Sequence, residues 1–313
     1  MSDSTSSSVA QAASPNVAPR PPVRCIVLLN AKAGPLHGHA SQEEMRALAQ
    51  AAGLDANFVA TNSPDETRQT LRQLVADRAE RVAVAGGDGT VALAAQELAY
   101  SDTVLGILPQ GTANNFATAL RLPQDLPSAL RVLANGTVRA VDLGKVGDRY
   151  FTESAGVGLF ADALTVYGAR ANKNVARAFY AILRVFLSAR ARRLHLILDG
   201  ERVIERAVLC EVANSFRMAY AVPVAPGAKL TDGELDVVVV GDLNGVREMW
   251  GYYKAFRAQM HATLPKVHTF RAREVRIETR HTMNVHCDDK VIGTTPVTIT
   301  AQPRALKVLV DTL

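Results

Sequence analysis

The chain has 313 residues, 48% of them hydrophobic, 21% charged and 5% aromatic, which excludes a short peptide module and a disordered or fibrous protein. Its 35 Lys and Arg residues against 30 Asp and Glu residues give a net charge of +5, whose meaning depends on where the basic residues cluster. Three widely separated cysteines support neither a disulfide framework nor a zinc ribbon, and they favour a reducing compartment.

The N-terminal residues 1–22 are rich in Ser, Ala and Pro, and we expect them to form a disordered tail because they bury too little apolar area. They lack the basic and apolar regions of a secretory signal. The longest nearly apolar run, 178–187, has about ten residues, whereas a membrane-spanning helix needs roughly 20. We therefore expect a cytoplasmic protein without a transmembrane segment.

Residues 23–142 alternate short apolar runs with amphipathic segments, which predicts βαβ units around a parallel sheet. The predicted strands are 25–30, 56–61, 81–86 and 103–108, and the predicted helices are 41–52, 64–77, 90–100 and 113–120. The chain should therefore begin, after its tail, with an α/β lobe.

Residues 143–302 contain strand-like runs separated by turns, which is typical of antiparallel β structure. The predicted strands are 149–154, 193–200, 201–214, 235–241, 274–279, 283–289 and 295–300, followed by a last strand at 305–310. Two helical segments, 164–193 and 246–262, should interrupt them.

Two glycine-containing turns each join an apolar strand to a helix. They are Gly86-Gly87-Asp88-Gly89-Thr90 and Pro109-Gln110-Gly111-Thr112, the second followed by Asn114 and Asn115. Glycine permits the close backbone approach of a phosphate cradle, and a helix N-terminus offers free N–H groups. One such turn alone is more often an ordinary tight turn, with Asp88 capping the helix. Two turns at the carboxyl ends of strands in one sheet favour a nucleotide site.

These motifs resemble the diacylglycerol kinase catalytic-domain family of lipid kinases, especially its soluble bacterial branch. Besides the two turns, the resemblance rests on Asn30-Ala31-Lys32-Ala33-Gly34 and Val141-Asp142-Leu143-Gly144, and more weakly on 212–214, 228–236, Asp288 and Thr295-Pro296. It implies a phosphofructokinase/NAD kinase-like α/β nucleotide-binding lobe over 23–142 and an antiparallel β-sandwich lipid-substrate lobe over 143–302. A final strand at 303–313 would return to the first lobe, with the active site in the cleft between the two.

The resemblance also implies the reaction, transfer of the γ-phosphate of Mg-ATP to a hydroxyl of a membrane lipid, most simply diacylglycerol or a similar glycerolipid of phospholipid metabolism. The implied ATP contacts are Asn30, Thr61, Gly86, Gly87, Asp88, Gly89, Thr90, Gly111, Thr112 and Asn114. The implied acidic network around the catalytic Mg²⁺ contains Asp88 and Asp142.

A second, structural Mg²⁺ is implied at Asp232, with Lys229 and Glu234 at flanking positions where their backbone oxygens would coordinate, although an acid in a hairpin turn is an equally good interpretation. The catalytic base is expected at Asp288 or its neighbour Asp289. Without the resemblance, two acids after a strand would more often belong to a β-turn.

Three departures from the family pattern affect the expected chemistry. Asn115 replaces an aspartate of the metal network, and Lys290 replaces a catalytic glutamate. A lysine with an ordinary pKa of about 10.4 cannot accept a proton at neutral pH. The stretch after Asn214 lacks glycine before Gly227, so the acceptor is less defined than the nucleotide. A kinase for a sphingoid or soluble acceptor, and a catalytically weakened nucleotide- or lipid-binding regulatory protein, therefore remain alternatives.

Seven basic residues and no acidic ones lie in the segment 164–198. Together with interleaved aromatic and aliphatic residues, they predict an amphipathic helix on an anionic membrane, or equally a helix packed on its own lobe with a solvated basic face. No nucleic-acid-binding module is recognisable, so we expect no nucleic-acid partner. The expected protein is cytoplasmic and peripherally membrane-associated, and the sequence leaves a homodimer open.

Overall fold

The computed structural model describes residues 23–30, 42–168, 190–218 and 222–312. The predicted tail at 1–22, the residues 31–34 of the first motif, and 169–189 of the predicted amphipathic helix lie outside the described residues.

The N-terminal half forms the predicted α/β lobe. Its elements are β1 (Val23–Asn30), α1 (Gln42–Ala51), β2 (Leu54–Thr61), α2 (Pro64–Ala76), β3 (Arg81–Gly86), α3 (Asp88–Leu98), β4 (Val104–Pro109), α4 (Asn115–Ala119) and α5 (Leu126–Asn135). The strands lie in the order β2, β1, β3, β4 and all are parallel. β3 is buried over five consecutive residues, as expected for a strand in a parallel sheet covered by helices.

Local sequence explains where α2 begins. Ser63 is the N-cap, and its hydroxyl accepts the N–H of Glu66 at 3.1 Å. The Glu66 carboxylate reaches back to the N–H of Asn62 at 2.7 Å. Pro64 occupies the first helical turn, where its missing N–H costs nothing. These contacts resemble a capping box, which fixes the helix start independently of the rest of the fold.

The C-terminal half forms the predicted antiparallel lobe. Its elements are β5 (Thr137–Val146), β6 (Arg149–Phe151), β7 (Ser154–Gly158), α6 (Leu159–Gly168), β8 (Arg192–Leu198), β9 (Glu201–Ala213), β10 (Leu235–Gly241), α7 (Gly245–Arg257), a 3₁₀ turn (His261–Thr263), β11 (Val267–Ala272), β12 (Glu274–Thr279), β13 (Asn284–Cys287), β14 (Lys290–Thr294) and β15 (Val297–Val310). Strands β14, β13, β7, β9, β8, β12 and β15 are successive neighbours, with β10 between β9 and β11. They enclose one apolar core and form a β-sandwich, which confirms the predicted fold class.

One long strand, β15, connects the two halves. Its first part pairs antiparallel with β12, and its last part lies parallel to β4, where Val308 faces Leu105. It also runs antiparallel to β5, with an irregularity between Gln302 and Leu306. The two strands predicted at 295–300 and 305–310 are therefore one bent strand, shared by the parallel sheet and the sandwich.

Several element boundaries differ from the sequence prediction. The helix predicted from residue 164 begins earlier, at Leu159, and Arg192 already belongs to β8 because it pairs with Ala207 of β9. The strand predicted at 149–154 is two strands, interrupted at Thr152 and Glu153. The sequence analysis did not predict α5, β5, β11 and β14. No helix within the described residues is long and apolar enough to cross a membrane.

Candidate active site

The two glycine turns pack directly against each other at the carboxyl ends of β3 and β4. A Cβ atom on Gly87 would lie 3.0 Å from the Cα of Gly111. A Cβ atom on Gly86 would lie 2.6 Å from the hydroxyl of Thr90, and the N–H of Gln110 donates to the carbonyl of Gly86 at 3.0 Å. Side chains at Gly87 or Gly111 would push the turns apart, so this close approach requires glycine.

Asn114 shapes the second turn from within. Its side-chain oxygen accepts the N–H of Gly111 at 2.8 Å, and its side-chain nitrogen donates to the Gly111 carbonyl at 3.1 Å and to Gln124 at 3.2 Å. Asn114 has a φ of +47°, a left-handed conformation that asparagine tolerates better than most residues. The predicted nucleotide contact Asn114 is therefore engaged in holding the turn, while Thr112 next to it is exposed.

Asp88 links the first turn to the second. It is the first residue of α3, and the N-cap position belongs to Gly87, so Asp88 does not cap the helix. Its Oδ1 accepts the N–H of Phe116 at 3.4 Å. Burial raises the pKa of Asp88, and the backbone N–H groups of residues 114–116 act in the opposite direction. This half-buried carboxylate therefore lies between the two helix starts.

The remaining predicted nucleotide contacts lie at the ends of β1 and β2. Asn30 and Thr61 face each other in register, and the Asn30 amide donates to the Thr90 hydroxyl at 3.5 Å. Thr61 is only 1% exposed, and its hydroxyl bonds with that of Thr67 at 2.7 Å. Asn30 thus joins the first glycine turn, whereas Thr61 is buried behind the start of α2.

Glu153, which the sequence analysis did not single out, connects the second turn to the sandwich. Its carboxylate accepts the side-chain N–H of Asn115 at 3.0 Å, and both residues are buried, 6% and 1% exposed. Glu153 lies in the interruption between β6 and β7. The departure at Asn115 has a physical reason here, because an amide donates a hydrogen bond to this carboxylate and an aspartate would repel it. The signal in the sequence that could have revealed it was an acidic residue within the otherwise uncharged run 151–158.

Asp288 is bound by the backbone at the same interruption. Its Oδ1 accepts the N–H groups of Glu153 at 2.9 Å and Ser154 at 3.3 Å, and its Oδ2 accepts the N–H of Thr152 at 3.2 Å. Asp288 has a φ of +48°. Burial raises its pKa to about 6, the backbone hydrogen bonds lower it, and the charge of Asp289 adds to the rise. Both oxygens of Asp288 therefore hold the sandwich backbone in place.

The Asp289 carboxylate lies close to the first glycine turn. It is exposed, and its Oδ2 lies 3.9 Å from the position that a Cβ atom would take on Gly89. Lys290 is also exposed and begins β14. Of the two predicted catalytic acids, Asp289 is thus the one whose carboxylate approaches the first glycine turn from the sandwich.

A buried ion pair of His286 and Glu211 lies next to Asp288. His286 and Glu211 are both 0% exposed, and Nε2 of the histidine lies 2.8 Å from Oε2 of the glutamate. The histidine Nδ1 bonds with the main-chain oxygen of Asp288 at 3.1 Å. Burial alone would lower the pKa of His286, but the Glu211 carboxylate and the Asp288 carbonyl together hold it above its usual value. The histidine spacing gave no sign of this pair, since its members are 75 residues apart.

The predicted metal residue Asp142 does not fit a direct metal ligand. It is 1% exposed, and its carboxylate oxygens accept the N–H groups of Gly233 and Arg304, each at 2.7 Å. A carboxylate already bound by two backbone donors at this depth has a structural role, which here is to hold the turn at 230–234 and the bend of β15.

The predicted structural metal at Asp232, Lys229 and Glu234 does not fit either. The guanidinium of Arg271 binds the Asp232 carboxylate and lies 3.1 Å from that of Glu234, while Lys229 is exposed. A cationic side chain therefore lies where the metal was expected. Within the described ranges, no group of three or more His, Cys, Asp or Glu residues is arranged to hold a metal ion.

A magnesium ion that arrives with the nucleotide does fit Asp88. Mg²⁺ usually binds one or two protein carboxylates together with substrate phosphates and water. Asp88 is half-buried between two helix N-termini, where phosphates would meet backbone N–H groups.

Comparisons with known proteins agree with this arrangement. Residues 24–146 match the diacylglycerol kinase catalytic domain, and residues 154–310 match the YegS C-terminal NAD kinase beta sandwich-like domain. A diacylglycerol kinase of Mycobacterium tuberculosis is 30% identical over 287 residues, covering 87% of this chain and 91% of that protein. A diacylglycerol kinase of Staphylococcus saprophyticus is 28% identical over 250 residues, covering 78% and 81%.

The fold has solved counterparts as well. The crystal structure of a diacylglycerol kinase from Bacillus anthracis superposes with a TM-score of 0.70 at 21% identity, covering 92% of this chain and 97% of that one. The chain belongs to the bacterial diacylglycerol kinase family, as its motifs indicated. It is therefore a kinase of the class that uses an alcohol group as acceptor.

Proposed function

We propose that this protein transfers the γ-phosphate of Mg-ATP to a hydroxyl group of a membrane glycerolipid, with diacylglycerol as the first candidate. One observation carries the proposal. The two glycine turns pack against each other, and the carboxylate of Asp88 in the first turn accepts the N–H of Phe116, which follows the second turn. A second carboxylate, that of Asp289, approaches the first turn from the sandwich. The relatives named diacylglycerol kinase support the choice of acceptor.

The N-terminal lobe holds the nucleotide in this proposal. Backbone N–H groups of Gly87 to Gly89 and of Thr112 bind the phosphates, while Asn114 holds Gly111 and Asn30 keeps Thr90 in place. Asp88 holds the magnesium ion of Mg-ATP, which neutralises phosphate charge when bound. Phosphoryl transfer depends mainly on such positioning and charge neutralisation, so rigid turns suit it.

The sandwich contributes the base. Asp289 accepts the proton of the acceptor hydroxyl, because its carboxylate is exposed and lies beside the first glycine turn. Asp288 is a positioning residue, since its oxygens are bound to the backbone of 152–154. Asp289 thereby replaces the glutamate that is missing at Lys290.

The acceptor reaches the base beside residues 214–218 and 222–225. The side-chain N–H groups of Asn214 donate to the carbonyls of Asp142 at 3.1 Å and Thr152 at 3.2 Å, and the Ser154 hydroxyl lies 3.8 Å from the sulfur of Met218. This segment therefore contacts the strand interruption that holds Asp288. We assign the enzyme to the cytoplasmic face of a membrane, where it would bind peripherally.

The test is an assay of the purified full chain with Mg²⁺, γ-labelled ATP and mixed micelles that contain diacylglycerol or sphingosine. Label should enter diacylglycerol, and Asp88→Asn should remove it while Asp55→Asn, a change at an exposed carboxylate of β2, should not. Label in sphingosine or in a water-soluble product would assign another acceptor. ATP binding by calorimetry without any labelled product would indicate the regulatory protein and contradict the proposal.

A further inference from the structure

Helix α7 has one face that is buried and another that is exposed to solvent. Its buried side chains Met249, Tyr252 and Phe256 recur at helical spacing, and Tyr252 and Phe256 pack on the sandwich. The opposite face carries Trp250, which is 56% exposed, and Tyr253, which is 38% exposed. Their rings stack with centroids 5.2 Å apart.

Apolar exposure is concentrated at this helix. Seven large hydrophobic residues are exposed within the described ranges, and three of them, Trp250, Tyr253 and Met260, fall within one short segment. Met260, just after the helix, is 63% exposed. Scattered exposed side chains are normal, whereas a cluster of large ones marks an interaction surface.

Positive charge surrounds these aromatic rings. Arg247, Lys254 and Arg257 are exposed along the same helix. The one acidic residue of α7, Glu248, is bound by Lys266 at 2.7 Å. Aromatic rings with a polar edge, set among basic side chains, have the chemistry that binds the boundary between anionic headgroups and acyl chains.

The buried face of α7 leads to the acceptor segment. Tyr252 and Phe256 belong to the same apolar cluster as Met218 and Val224. His261 stacks on Phe256 with centroids 3.9 Å apart, and its Nε2 bonds with the Val224 carbonyl at 2.8 Å. A surface that touches lipid through α7 would therefore lie next to the segment that we assign to the acceptor.

We propose that the α7 face, defined by Arg247, Trp250, Tyr253, Lys254, Arg257 and Met260, docks on an anionic bilayer. This inference rests on the proposed lipid kinase function. Trp250, Tyr253 and Met260 enter the interface, and the basic side chains bind anionic headgroups. The α7 face lies outside the basic segment 164–198 of the sequence and would add a further point of contact with the bilayer.

The experiment uses the full chain, whose tryptophan emission comes from Trp250 alone because the sequence contains one tryptophan. Vesicles of phosphatidylglycerol and phosphatidylcholine should shift the emission to shorter wavelength, and lipids brominated close to the headgroup should quench it. Vesicles of phosphatidylcholine alone should act more weakly and with little dependence on salt, because the electrostatic contribution is missing.

Matched variants separate charge from apolar insertion. Arg247→Gln and Lys254→Gln should each weaken binding to the anionic vesicles by up to about fivefold at low salt. Tyr253→Ser combined with Met260→Ser should weaken binding at every salt concentration. Arg46→Gln and Ile204→Ser are controls, since they remove an exposed cation and an exposed apolar side chain elsewhere and should leave binding unchanged.

Two outcomes would overturn the docking surface. Trp250 does not enter lipid if its emission is unchanged while the protein sediments with vesicles. The same conclusion follows if the protein fails to bind vesicles. An emission shift that grows with protein concentration in the absence of lipid would identify a second copy of the chain as the occupant. Kinase assays on a short-chain diacylglycerol dissolved as a monomer keep the two proposals distinguishable, since activity there would uphold the kinase even if the docking surface fails.

Discussion

At the scale of single residues, two neighbouring aspartates have opposite environments. Asp288 accepts backbone hydrogen bonds with both carboxylate oxygens, whereas the Asp289 carboxylate is exposed beside Gly89. The family correspondence favours Asp288 as the base, but a carboxylate that is already bound has less freedom to accept a proton from a substrate. We therefore propose Asp289 for proton transfer and Asp288 for positioning.

We expect Asp289→Asn to lower kcat by about 10²-fold or more, the usual contribution of a general base, with the KM for ATP little changed. Asp148→Asn, at an exposed turn of the same lobe, is the matched control. Steady-state kinetics with varied ATP and saturating micellar diacylglycerol measure both constants. A fully active Asp289→Asn enzyme would transfer the role to Asp288.

At the scale of elements, the turn before β10 is held by an internal cation. Arg271 of β11 binds Asp232 and Glu234, and Asp236 of β10 lies nearby. Burial raises the pKa of Asp236 to about 6, and the charge of Arg271 opposes that rise. The two acids of the turn and Asp236 at the start of β10 need a positive charge, and β11 supplies it from the neighbouring strand.

Arg271→Ala should destabilise this turn and create a dependence on divalent cations. In the wild-type chain without nucleotide, the melting temperature should be the same in Mg²⁺ and in EDTA. In the variant it should fall in EDTA and recover with Mg²⁺, because the free carboxylates then resemble an oxygen-rich metal site. Arg273→Ala is the control on the same strand region. A wild-type protein that loses stability in EDTA would restore the structural metal that the sequence predicted.

At the scale of the whole molecule, the buried hydrogen bond between Asn115 and Glu153 and the shared strand β15 join the two lobes. The same Glu153 donates its N–H to Asp288, so the lobe contact continues to the neighbour of the proposed base Asp289. Asn115 is therefore a consistent part of an active arrangement, and its amide does not by itself indicate lost catalysis.

Asn115→Asp should lower the free energy of unfolding by about 2 kcal/mol, the scale of a lost hydrogen bond to a charged group, because two buried carboxylates would then meet. Adding Glu153→Gln should recover most of the loss, since the amide then donates in the opposite direction. Urea unfolding of the two single variants and the double variant measures the coupling, with the exposed change Asn57→Asp as control. Strictly additive losses would contradict the contact.

The buried pair of His286 and Glu211 predicts how stability depends on pH. The pKa of His286 is raised in the fold, so its contribution is fully present below the unfolded value of about 6.5 and is lost as pH rises through the folded value. The free energy of unfolding, measured in urea from pH 6 upward, should therefore begin to decline at about pH 6.5 and decline further as the pH rises through the folded pKa of His286. Replacing both members, Glu211→Met with His286→Leu, should remove the decline. Replacing the half-exposed pair of Glu205 and His268 should change it little.

Much of the fold and part of the site were predictable because their causes are local. The strand before Gly86, the helix after Asp88 and the repeated design at Gly111 lie within short windows, where periodicity and turn chemistry act directly. The alternation of elements also predicted a parallel lobe followed by an antiparallel one. Some boundaries were predicted wrongly: Arg192 was expected in a helix, but it begins β8 because it pairs with β9.

The sequence by itself determined the class of fold, the two glycine turns and the family, since each depends on residues close together in the chain. Only the tertiary structure decided which aspartate faces the first glycine turn and that Glu153 contacts Asn115. The same holds for Arg271, which lies where a metal was expected, and for the pairing of His286 with Glu211. Those partners are 38, 39 and 75 residues apart for Asn115, Asp232 and Glu211. Sequence patterns report spacing along the chain, whereas charge, burial and hydrogen bonding depend on distances in space, which are fixed when the strands pair.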